Sequence, residues 1–138
     1  MSELAGWDVE PEDAPAPRVE EEPALYYGSV DEFVREFIVP TYRRKIGAGG
    51  SAQRWIATWW EHPEAVVRLT AIWRAWEALR LDPATGMSVW LRDHADYHLG
   101  VLFSDYGPFG DSEETSKRGM PLPYEAPPPE LFPDEREL

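Results

Sequence analysis

The stretch WRAWEALRLDPATGMSVWLRDHADYH, residues 73–98, decides how this chain is read. It holds three of the seven Trp and two of the three His, with Asp93 and Asp96 set among the His. Its first part belongs to a helix predicted over about 63–80. There Ala65, Val66, Leu69, Ile72, Trp73, Trp76 and Leu79 recur at helical spacing, while Arg68, Arg74, Glu77 and Arg80 take the other face. Pro63 suits the first position of that helix, and DPATG at 82–86 is a turn.

Upstream, Ser29 and Glu32 form a capping box. Val30, Phe33, Val34, Phe37, Ile38, Tyr42 and Ile46 then give one apolar stripe. Arg43, Arg44 and Lys45 are expected in the last turn of this first helix, with Gly47 ending it and Pro40 kinking or splitting it. Ser51 is expected to cap a shorter helix reaching Trp60. Downstream, Met87, Val89 and Leu91 alternate as in a strand, and LGVLF could complete a hairpin. The preferred reading is two helices, one capped by Ser88 and ending near 94, the other capped by Asp96 and ending near 103, because DHAD lacks the glycine of tight hairpins.

Charge divides the chain. Residues 1–28 sum to −7, residues 29–109 to −1 and residues 110–138 to −5, and most of the 14 Pro fall in the two flanks. Acidic, proline-rich segments bury too little apolar surface to offset ordering entropy. The expected organisation is a disordered acidic tail (1–28), a helical core domain (29–109) and a disordered acidic, Pro-rich tail (110–138). LYY at 25–27 is an apolar island expected to pack on the core, and Leu131 and Phe132 are another within the C-terminal tail. The fold class is all-α, a small bundle of four to five short helices. With no Cys there is no disulfide, and six Trp between 55 and 90 supply the core instead, each large aromatic burying roughly 150–250 Å². No apolar run approaches the ~20 residues of a membrane span. The N-terminus lacks the basic and apolar regions of a signal peptide, so a cytoplasmic protein is expected.

The polar residues offer three chemistries. Arg92, Asp93, His94, Asp96 and His98 beside Trp90 form the candidate partner-binding surface; the plainer alternative is a polar network within the fold. His94 and His98, four apart, could share a helical face as zinc ligands with His62 as a third, although Ala95 stands where a zinc protease helix has its general-base Glu. Arg43, Arg44 and Lys45, with Arg54 and Trp55, could hold phosphate and stack a base, although acidic tails repel a duplex. Trp59 and Trp60 cannot both point inward on one helix, which leaves a Trp for a groove. No Gly-rich phosphate loop follows a strand, and neither GxSxG nor a Cys nucleophile occurs.

The segments FVREFIVPTYRRKIG, WWEHPEAVVRLTAIWRAWEALR, DPATGMSVWLRDHADYH and GPF resemble an uncharacterised domain-of-unknown-function family of actinobacteria. The resemblance spans about residues 30–110. It implies a genomic setting, near mobile or conjugative elements, and no catalytic residues. One departure is Tyr97, where the family pattern leads us to expect Pro. The expected function is a non-enzymatic interaction module, an accessory protein that binds a larger protein partner and uses no cofactor. The alternatives are a metal-dependent hydrolase using His94 and His98, and a nucleic-acid accessory protein using Arg43, Arg44 and Lys45.

Overall fold

The computed structural model describes residues 23–138; the acidic segment 1–22, part of the expected N-terminal tail, lies outside the described residues. Three helical runs build an all-α domain around an aromatic core. The first, α1, begins with an α-helical turn Val30–Phe33, passes through a π-helical turn Val34–Ile38 and ends with Val39–Thr41. The serine half of its capping box is formed: Ser29 Oγ accepts the Glu32 N–H at 3.0 Å, while the Glu32 carboxylate accepts the N–H of Gly28, one residue before the cap, at 3.1 Å. Pro40 does not split the run, which continues through it to Thr41. Val39 N–H reaches back five residues to Val34 O, so the helix is already widened where the proline removes a donor.

α1 stops at Thr41, five residues before the Ile46 expected from its stripe. Tyr42 leaves helical geometry at φ −97°, ψ 77°. Ile46 is instead held in extended backbone, bridged to Gln53 on one side and Ser116 on the other. Arg43, Arg44 and Lys45 therefore cap no helix. Nor does a helix start at Ser51: residues 51–58 are turns and extended chain, followed by one 3-10 turn, Trp59–Glu61. Trp55 and Trp59 are both fully buried while Trp60 is half-buried.

α2 runs Pro63–Leu79, as its periodicity predicts, and buries Ala65, Leu69, Ile72, Trp73 and Trp76. Asp82 closes the following turn by accepting from Ala84 N–H, Thr85 N–H and Thr85 Oγ. α3 then turns back along α2. It is one continuous run, Gly86–Trp90, a π-helical turn Leu91–Ala95, and Asp96–Leu102, so the two expected helices are joined and Asp96 caps nothing. A side chain at Gly86 would collide with the Leu79 carbonyl, which lets α3 start hard against the end of α2. Trp90 is 1% exposed and donates its indole N–H to Ile72 O at 2.8 Å, pinning α3 to α2.

Glu77, expected on the solvent face of α2, is buried. It accepts the N–H groups of Tyr26 and Tyr27 and the indole N–H of Trp73, and pairs with Arg80. The LYY island is thereby tied down, with Tyr27 buried against Phe33 and Trp76.

The C-terminal segment corrects a further expectation. Its composition predicts a disordered tail from 110, yet it lies along the core as a strap. Leu122 is 2% exposed and its N–H bonds to Val39 O. Trp55 Nε1 donates to Pro123 O, and Trp60 Nε1 to Glu125 O, both at 2.9 Å. Tyr124 donates its hydroxyl to Asp31, and Phe132 stacks on Trp59 with ring centroids 5.5 Å apart. Arg136 clips the end by pairing with Glu32 and bonding to Tyr26 O. The Trp-lined groove is thus filled by the chain's own proline-rich segment. Among the described residues no helix is long and apolar enough to cross a membrane.

Candidate functional site

The polar residues expected to meet a partner are carried by the middle of α3. The π-helical turn Leu91–Ala95 contains three of them, Arg92, Asp93 and His94. Arg92 and Asp93 are exposed and form a two-pronged pair, at 2.7 and 3.1 Å. That bond is the main cause holding the Asp93 carboxyl below its ordinary range, so both groups are charged at neutral pH. Asp96 is also exposed, whereas His94 and His98 are half-buried. Trp90 does not join them at the surface. Its indole is spent on Ile72, so it is a core residue that fixes the helix and lies outside the exposed surface.

His98 is joined to α2. Its Nδ1 lies 3.0 Å from an Arg68 guanidinium N, and Arg68 also pairs with Glu64 one turn back. A guanidinium only donates, so Nδ1 accepts and the ring is neutral with its proton on Nε2. Burial, then the neighbouring Arg68 charge, then His94, lower the His98 pKa from its ordinary value. Tyr97 stands beside this group. It is 66% exposed, edge-on to His98 at 5.5 Å, and stacks over the Arg68 guanidinium at 5.7 Å. Leu91 is 41% exposed one turn before Ala95, and Met87 is exposed one turn earlier again. Sequence reading missed Arg68, Tyr97 and Leu91. Spacing alone offered one signal for Arg68, its Glu64 partner at i,i+4.

The alternative metal-ligand set of His94, His98 and His62 does not come together as a three-ligand group. His62 ends the 3-10 turn and packs edge-on against Phe109. Among the described residues no three His, Cys, Asp or Glu side chains converge where they could hold a metal ion. The Arg68 guanidinium on His98 also places a fixed positive charge beside one of the two imidazoles.

Arg43, Arg44, Lys45 and Arg54 do not form one phosphate-binding helix end. Arg54 pairs with Asp105, Arg43 bonds to Pro40 O and Gly119 O, and Arg44 stacks over Tyr42 and Phe103. Trp55, the base-stacking candidate, is fully buried.

The sequence model of a family described as Domain of unknown function (DUF4913) matches residues 27–129. The chain belongs to this family. The DUF4913 match takes in all three helices and the strap as far as Pro129, so Leu122 and Tyr124 fall inside it and Phe132 and Arg136 outside. No curated protein and no solved structure matches the chain.

Proposed function

We propose that this DUF4913 domain is a non-enzymatic interaction module whose α3 surface binds a larger protein partner. The observation that carries the reading is Tyr97. A large aromatic ring stands out from the helix, yet its neighbour Arg68 is fixed by Glu64 and His98. Tyr and Arg dominate binding energy at protein interfaces, and pre-fixed side chains lose little entropy on association. Leu91 and Met87 add apolar contact along the same helix, and the Arg92–Asp93 pair, His94 and Asp96 supply the polar part. The resemblance to proteins encoded near mobile elements makes a component of a DNA-transfer system the partner class to seek.

The test is affinity capture by the full-length protein, comparing wild type with Asp93→Ala/His94→Ala. The double variant is expected to lose a partner that the wild type holds, with its melting temperature nearly unchanged. A fall in melting temperature of many degrees makes these residues structural instead.

A further inference from the structure

Of the 13 Lys and Arg, only Arg18 lies outside the described residues. Seven of the others reach a carboxylate: Arg35, Arg54, Arg68, Arg74, Arg80, Arg92 and Arg136. The five that pair with none among the described residues are Arg43, Arg44, Lys45, Lys117 and Arg118. They are adjacent in two segments that are bonded side by side. Ile46 and Ser116 exchange N–H···O bonds at 3.0 Å in both directions, and Arg43 donates to Gly119 O at 3.0 Å. In a chain of net charge −13, the Lys and Arg of the described residues that pair with no carboxylate thus lie on two adjoining segments.

The surface between them is concave. A depression of about 590 Å³ opens between the loop after Lys45 and the segment Thr115–Arg118. Gly47, Ala48, Gly49 and Ala52 form one wall. Gly49 and Gly50 hold φ of +76° and +57°, and a Cβ on either would meet open space, so the loop carries no bulk over the opening. Lys45, Lys117 and Arg118 line it, are exposed, and make no side-chain hydrogen bond among the described residues. Arg43 and Arg44 do not line it: Arg43 is bonded to Pro40 O and Gly119 O, and Arg44 lies over the Tyr42 and Phe103 rings.

We propose that this depression binds a small molecule carrying a phosphate group. Clustered cations repel one another unless an anion joins them, and phosphate oxygens accept charge-assisted bonds from Lys and Arg alike. The volume suits a compact ligand. A long polyanion would also meet the exposed Asp111 and Glu113 just upstream of Thr115, in a chain of net charge −13. The site shares no residue with the α3 surface and does not depend on it.

Calorimetric titration of the full-length protein with sodium pyrophosphate, and separately with adenosine triphosphate, tests this. Both are expected to bind saturably at one site, and Lys117→Ala/Arg118→Ala to weaken binding about tenfold or more while leaving the melting temperature of the unliganded protein in place. Lys45→Gln, on the opposite wall, is expected to weaken it as well. Tighter binding of the nucleotide assigns the alanine-lined wall to the organic part; equal affinities assign the phosphate alone. No saturable binding of either probe overturns the proposal, as does binding that both variants retain. A single-stranded oligonucleotide whose affinity grows with its length, far above that of pyrophosphate, replaces it with nucleic-acid binding.

Discussion

The backbone N–H of Tyr27 donates to Glu77 Oε2 at 2.9 Å, across fifty residues of chain. The same carboxylate takes the Tyr26 N–H, the Trp73 indole N–H and the Arg80 guanidinium, so one buried anion fastens the chain entering α1 to the last turn of α2.

Glu77→Ala leaves these donors without an acceptor. Removing one partner of a buried, hydrogen-bonded ion pair costs about 3–5 kcal/mol. Glu77→Gln keeps one oxygen but points an NH2 at groups that also donate, so it is expected to fall between wild type and Ala. Urea denaturation reads both. A loss below about 1 kcal/mol for Glu77→Ala would place the anchoring elsewhere.

The C-terminal strap is expected to be part of the cooperative fold. Leu122→Ala, at a fully enclosed position, should cost about 2–4 kcal/mol. Limited proteolysis should spare 120–133 in the native protein and cut there after the substitution. Equal cleavage of both proteins, with equal melting temperatures, would return the segment to a loose tail.

His98 predicts a pH dependence. Its folded pKa lies below the ordinary 6.5, so between the two values the unfolded chain binds more protons than the folded one. Stability therefore holds above pH 6.5, falls as pH drops from 6.5 toward the lowered folded value, and loses no more through this group below that. His98→Asn removes this component from the slope. Melting curves of the two proteins between pH 7.5 and pH 5, within the range where His titrates, check it; parallel curves would show that His98 contributes nothing.

Tyr97→Ala separates binding from stability. An exposed helical side chain changes stability by only about 0.5 kcal/mol, whereas an interface Tyr is worth about 2 kcal/mol or more of affinity. Partner affinity should fall at least about tenfold while the urea midpoint stays nearly constant. A large shift in the midpoint would mean that the Tyr97–Arg68 stack supports the helix pair instead.

Local physics was legible from sequence and long-range pairing was not. The Ser29–Glu32 cap, the Pro63 start and the apolar period of α2 are written within a few residues, and each appears in the structure. The end of α1 is not local. Ile46 continues the helical stripe, but bridges to Gln53 and Ser116 draw it into extended backbone. Glu77 looks solvent-facing by period because its N–H partners come from fifty residues away. The strap defeats composition for a similar reason. It buries few side chains, and much of its hold comes from backbone carbonyls that meet two indole N–H groups and from Phe132 on Trp59. On α3, Trp90 reads both with the core Trp and beside the polar surface, and burial assigns it to the core. Arg68 comes to that surface through tertiary packing.

Side-by-side affinity capture tests the central claim most directly, using wild type, Asp93→Ala/His94→Ala and Lys117→Ala/Arg118→Ala from a lysate of the organism that encodes the chain. The account predicts one protein partner held by the wild type and by the Lys117/Arg118 variant and lost from the α3 variant, with all three melting alike. A partner still held by the α3 variant at undiminished affinity would contradict it.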